Sequence, residues 1–146
     1  MKTPTLLRIT SVLSFVQFCA HTAMFVTYRP VHGAEEVAVV EAMRTHVFKF
    51  GGAAHSYWEL YFGYGLMSAA NCLVEAVLFW QLAGLARKSP ALIRPIAALF
   101  LLANVGYAIL VRVYFFPLPG YFDLAIAALL GAAIVTSLRA EAPAAR

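Results

Sequence analysis

The sequence predicts an all-α fold, a four-helix transmembrane bundle with an amphipathic helix between the first and second spans. Three observations lead there. The 146 residues are 62% hydrophobic and only 12% charged, against about 45–50% apolar and about 25% charged in soluble domains. The apolar residues gather into four long stretches, each near or above the ~20 residues that cross hydrocarbon. The polar residues inside those stretches recur at helical spacing instead of scattering. One integral membrane domain over residues 1–146 is the expectation. The same bias excludes a disordered tail, a collagen-like repeat and a small disulfide-stapled secreted domain.

The first span is expected over residues 6–26, with Lys2 and Arg8 at its start. Its apolar run is too long for a signal peptide, and Gln17 and His21 interrupt the place where a cleavage site would sit. The second, residues 57–86, is long enough to tilt or to project beyond the headgroups. Pro90 and Pro95 break the chain before the third, residues 96–116. Pro117, Pro119 and Gly120 are expected to form a tight turn into the fourth, residues 121–138. The tail EAPAAR, residues 141–146, is short and polar and is expected to be disordered.

Eleven Lys and Arg against seven Asp and Glu give a net charge of +4. Seven of the basic residues lie at the ends or in the short 87–94 connection: Lys2, Arg8, Arg87, Lys88, Arg94, Arg139 and Arg146. Only Arg29, Arg44 and Lys49 stand in the long 28–56 connection, offset by Glu35, Glu36 and Glu41. The positive-inside rule accounts for this excess, places both termini in the cytoplasm and puts residues 28–56 outside, in the topology of a bacterial inner-membrane protein. No basic stripe interleaved with aromatics accompanies it, so nucleic acid is not an expected partner. Within the outer connection, Val40, Met43, Val47 and Phe50 recur at three- and four-residue steps, which predicts an amphipathic helix over 35–50 that Gly51-Gly52 ends. It lies in the interface or covers the bundle mouth.

The polar stripes carry the candidate chemistry. Tyr57, Tyr61, Tyr64, Ser68, Asn71 and Glu75 share one face of the second span, and Thr10, Ser14, Gln17, His21 and Tyr28 share one face of the first. In hydrocarbon such faces are expected to turn towards each other or a wet cavity. The third span adds Asn104, Tyr107 and Arg112, and the fourth adds Asp123. His21, Glu59 and Glu75 are candidate proton-transfer groups. Gln17, Tyr61, Tyr64, Asn71, Asn104, Arg112 and Asp123 are candidate ligand-binding groups, with Arg112 holding an anionic moiety. The bland counterparts are an Arg112–Asp123 salt bridge across the last turn, a Glu75–Asn71 clasp, and a satisfied interior histidine at position 21. Cys19 and Cys72 read as packing residues. FGYGL lacks the preceding strand and third glycine of a phosphate loop, and no HExxH, GxSxG or Cys-His cluster is present. No cofactor and no metal are expected.

The segments AHTAMF, EAMRTHVFKFGGAAHSYWELYFGYGL and LFWQLAGLARK resemble a family of short four-span bacterial membrane proteins of unassigned activity. The likeness rests on the His21-Thr22 pair and on the run Ser56, Tyr57, Trp58, Tyr61, Gly63, Gly65 and Leu66. It implies the four-span topology and an outer mouth that matters. A looser, purely architectural likeness links the chain to sterol-isomerase-like bundles. Three functions compete. The leading expectation is a membrane-embedded pocket that binds an apolar lipid-like molecule, with or without proton-transfer isomerisation. The second is a structural or accessory subunit of a membrane complex, and the third a small transporter or channel component. The expected partners are membrane lipids, an apolar small molecule, and a second copy or another membrane protein.

Overall fold

The computed structural model describes residues 2–140; the EAPAAR tail lies outside the described residues. Four helices are long and apolar enough to cross a membrane, and they mark the chain as a multi-pass, all-α membrane protein. The elements in order are α1 (Thr3–Val26), α2 (Ala34–Thr45), β1 (Val47–Phe50), β2 (Ala53–Ser56), α3 (Tyr57–Leu85), a 3-10 turn (Pro90–Ile93), α4 (Arg94–Tyr114) and α5 (Pro117–Arg139).

The amphipathic helix is shorter than its periodicity predicts. It stops at Thr45, and residues 47–50 pair antiparallel with residues 53–56, Val47 opposite Ser56 and Phe50 opposite Ala53. Gly51 and Gly52 are therefore the two central residues of a hairpin turn, at φ 55° and 91°. Two adjacent positive φ values are what a type I′ connection demands, and glycine meets them without steric cost. Val47 and Phe50 satisfied a helical period by coincidence, because short apolar runs fit either template.

Proline also acts differently from expectation. Pro117 opens α5 and Pro119 and Gly120 lie in its first turn, four residues ahead of the predicted start at 121. Pro95 sits in the first turn of α4, not before it. Backbone N–H groups there have no intrahelical acceptor, so a residue without one costs nothing.

The chain divides into two compact units, one of residues 2–17 with 72–140, the other Phe18–Asn71. The first is a four-helix unit whose core holds Leu7, Phe79, Leu82, Ile93, Ala97, Ile126 and Leu130, all buried. Its register is set by polar pairs between helices. Thr3 meets Thr136 at 2.9 Å, the Ser11 hydroxyl donates to the Ala76 carbonyl at 2.6 Å, and Arg94 Nε donates to Ser137 at 3.0 Å. Such bonds contribute about 0.6 kcal/mol each on average between membrane helices, so they fix alignment while packing supplies most of the cohesion. On α5, Ala127 is buried and a Cβ at Gly131 would already touch Leu101, whereas Ala128 and Ala132 are exposed. Ala127 and Gly131, four residues apart, therefore form the small-residue pair at the α4 contact.

The second unit holds the C-terminal part of α1, α2, the hairpin and the first half of α3. The Phe25 ring lies against Gly65 so closely that no Cβ fits there. Around it gather Tyr61 at 5.2 Å and Phe62 at 6.4 Å between ring centroids, with Trp58 stacked on Phe62 and touching Tyr28. A second group joins Phe48, Phe50 and Tyr57.

Candidate functional site

The candidate residues fall into both units. Gln17, Glu75, Asn104, Arg112 and Asp123 belong to the four-helix unit, and His21, Glu59, Tyr61, Tyr64 and Asn71 to the other.

In the four-helix unit the polar side chains of α1 turn inward as their spacing predicts. Thr10 and Ser14 are fully buried, and Gln17 reaches across to α5, donating from Nε2 to Asp123 Oδ1 at 2.9 Å. Asp123 therefore takes its bond from Gln17 and not from Arg112, and the expected salt bridge between the last two spans is not formed. Glu75 is likewise paired with a different group. Asn104 donates from Nδ2 to Glu75 Oε2 at 3.5 Å and to the Phe100 carbonyl at 2.9 Å, while Asn71 is exposed and outside this cluster. Glu75 and Asp123 are within electrostatic reach of each other, and Cys72 of both. The Ser14 hydroxyl has no hydrogen-bond partner.

A cleft of about 580 Å³ opens between the end of α4 and the start of α5. Its walls are Val105, Ala108, Ile109, Val111, Val113, Pro117 and Leu124, and its polar groups come from Arg112 and Tyr121. Gly120 shapes it. A Cβ at Gly120 would stand 3.3 Å from Val111 Cγ1, so the glycine lets α5 approach α4 closely at the cleft's end. The volume falls within the usual range for small-molecule sites, about 300–1,000 Å³. Tyr121, the expected first residue of the fourth span, is not among the sequence candidates, because residue spacing along α5 does not show that it lines a cleft with Arg112 of α4.

In the second unit the expected polar face of α3 does not turn inward. Tyr64 is 71% exposed, and Tyr61, Ser68 and Asn71 are exposed with it. Tyr61 packs at a tilt against Phe25 and Trp58, so it is a packing residue along one side only. Glu59, a proton-transfer candidate, is occupied by a capping box. Glu59 Oε2 accepts the Ser56 N–H at 2.7 Å and the Glu59 N–H donates back to Ser56 Oγ at 3.2 Å. The S-x-x-E signature of SYWE announces this arrangement, and it is the signal that sequence reading passed over. His55 Nδ1 stands 3.5 Å from the same carboxylate. His21 is half-buried and rests 5.1 Å from Phe25 between ring centroids. Its Nε2 is buried without a partner, as is the Thr22 hydroxyl.

Glu36 has a role that its place on a charged helix face concealed. Its carboxylate reaches back from the first turn of α2 to the N–H groups of Val31 and His32, at 2.6 and 2.7 Å, and accepts the Tyr28 hydroxyl at 2.8 Å. The His32 amide first and the Tyr28 hydroxyl next hold this carboxyl down at about 2, well below its ordinary 4.5, while the same bond holds the Tyr28 hydroxyl above its ordinary value. Two cations complete the polar chemistry by lying on aromatic faces: Arg8 over Trp80 at 3.1 Å and Arg44 over Trp58 at 4.3 Å. Among the described residues no group of three or more His, Cys, Asp or Glu side chains is placed to hold a metal ion.

Comparison of the chain with protein-family models, with curated proteins and with solved structures finds no match.

Proposed function

We propose that the protein sits in a bacterial inner membrane and binds an anionic, lipid-like amphiphile in the α4–α5 cleft, with Arg112 at the headgroup. One observation carries this reading. Arg112 lines an otherwise apolar cleft, and no carboxylate among the described residues pairs with it. A guanidinium in apolar surroundings asks for an anionic partner, and its planar fork suits a carboxylate or phosphate. Tyr121 adds a hydroxyl beside it.

The orientation supports an outer-leaflet ligand. Within the four-helix unit, Thr3 pairs with Thr136 and Arg94 with Ser137, so Lys2, Arg8, Arg94 and Arg139 gather at one end, and Arg112 stands near the other end of α4. The positive-inside rule assigns the first end to the cytoplasm. Binding without chemistry is the favoured form. Glu59 is engaged in capping, and Glu75 and Asp123 are engaged by amides away from the cleft lining.

The test is native mass spectrometry of protein released from nanodiscs of phosphatidylglycerol or phosphatidylcholine. Retention of the anionic lipid, reduced about tenfold or more in Arg112→Gln, is the expected result, since a charge-assisted hydrogen bond contributes about 1.5–3 kcal/mol. Equal retention by Arg112→Gln removes the proposal.

The exposed polar face of α3 favours a second reading, an accessory subunit. Tyr64, Ser68 and Asn71 facing hydrocarbon are unfavourable unless another helix covers them. Crosslinking through Ser68→Cys in membranes would then trap a second copy or another membrane protein; labelling of that cysteine by lipid-soluble probes alone rejects this reading.

A further inference from the structure

The polar centre of the four-helix unit holds two carboxyl groups with no basic partner among the described residues. Glu75 and Asp123 are 8% and 4% exposed. Their neighbours among the described residues are neutral: Asn104 donates to one and Gln17 to the other. Cys72 is the other titratable side chain within electrostatic reach. No Lys, Arg or His forms an ion pair with either carboxylate. A carboxylate that accepts amide N–H bonds is arranged as an acceptor, and two such groups within reach of one another repel. Buried carboxyl groups of this kind either take up a proton or keep their charge with a counter-charge beside them.

The second observation is Ser14. Its side chain is 0% exposed and its hydroxyl has no partner. A helical serine ordinarily bonds back to its own carbonyl ladder, as Thr10 does to Leu6 at 3.0 Å. Ser14 does not. The register says where it stands. On α1, Ser11 is level with Ala76, the residue after Glu75, and Gln17 is level with Asp123. Ser14 lies midway between them, on the face it shares with Gln17, so its oxygen stands in depth between the two carboxyl groups. Gln17 and Asn104 each give a donor to a carboxyl group, and the acceptors around them are oxygens: the second carboxyl oxygens, the side-chain carbonyls of Gln17 and Asn104, and the Ser14 hydroxyl. A buried, oxygen-only set is the donor chemistry of hard cations.

We infer that Glu75, Asp123, Ser14 and the amide carbonyls of Gln17 and Asn104 form an intramembrane binding site for a hard cation, sodium or calcium in class. The cation supplies the charge that the helices lack and ties α1, α3, α4 and α5 together at one depth. Binding is an association with no covalent step. It is independent of the α4–α5 cleft, whose lining contains none of these residues.

The test uses the full chain in detergent at neutral pH, with thermal unfolding followed in sodium, calcium or choline chloride at matched ionic strength. Sodium or calcium is expected to raise Tm saturably while choline does not. Ser14→Ala, a small change in a fully packed position, keeps the fold and raises the half-saturating concentration on the order of tenfold or more. Asp123→Asn abolishes the response. Should Asp123→Asn fail to fold, the Ser14→Ala titration and calorimetric binding to the wild type decide alone. A Tm that follows pH identically in all three salts overturns the inference, because protons then neutralise the pair. A Tm that responds to neither overturns it as well and leaves a structural clasp.

Discussion

At the scale of single residues, Gly65 and Gly63 make a controlled pair. Both lie in the interior of α3, but a Cβ at Gly65 collides with the Phe25 ring and one at Gly63 meets nothing. Gly65→Ala is expected to destabilise by about 1–3 kcal/mol through overpacking. Gly63→Ala should be neutral or gain up to about 1 kcal/mol of helix propensity. Thermal unfolding of the two variants checks this, and equal effects would refute the close approach of Phe25. Glu75 offers a second contrast. Glu75→Gln keeps a partner for the Asn104 amide, whereas Glu75→Leu leaves one of that amide's two N–H groups unpaired, the other still bonded to Phe100, at about 1–3 kcal/mol. Measured in choline buffer, Gln should retain clearly more stability than Leu. Glu36 supplies a pH dependence. Its carboxyl is depressed from 4.5 to about 2, so its contribution to the order of the 28–36 turn is complete above about 4.5 and is lost as pH falls through about 2. Hydrogen exchange at the Val31 and His32 amides should stay slow down to that window. Loss of protection already near neutral pH would contradict the bonding described.

At the scale of elements, the same capping logic explains where α3 begins. Ser56→Ala removes the acceptor of the Glu59 N–H and should cost about 1 kcal/mol. Glu59→Gln, which keeps the reciprocal bond in neutral form, should cost less; a larger loss for Gln would return Glu59 to a role that needs its charge. How much of this was legible differs by element. The four spans follow from hydrocarbon thickness and apolar content, and the start of each differs from expectation only where proline stands. The prolines at 95, 117 and 119 were read as breakers, because the sequence does not say whether a proline precedes a helix or fills its first turn. The hairpin was legible in principle: paired glycines directly after the β-prone run VFKF are a local turn signal. It was outcompeted by a helical period that Val47 and Phe50 happened to extend. The inward face of α1 was read correctly from Thr10, Ser14 and Gln17. The matching face of α3 was not, because a polar stripe on a membrane helix says that a partner is needed and not that the partner lies in the same chain. Pairings were the least legible feature. Gln17 with Asp123 and Asn104 with Glu75 depend on helix register, which residue spacing within one helix cannot fix.

At the scale of the whole molecule, charge placement gives the topology a direct check. Cysteine substitutions near Gly33 should be labelled from outside intact cells and those near Ser89 should not; the reverse pattern inverts the assignment. The native Cys19 and Cys72 are free thiols, so the test belongs in a background with both replaced by serine or alanine. On the proposed orientation the α4–α5 cleft faces the outer leaflet, and its use of an anionic amphiphile is the central claim. The most direct measurement is an experimental density map of the protein reconstituted in phosphatidylglycerol nanodiscs. The account predicts elongated density along the wall formed by Val105, Ile109 and Leu124, ending in a headgroup within hydrogen-bond distance of Arg112 and Tyr121. Side chains from α4 and α5 closing the cleft, or Arg112 paired with a protein carboxylate and the cleft empty, would contradict it.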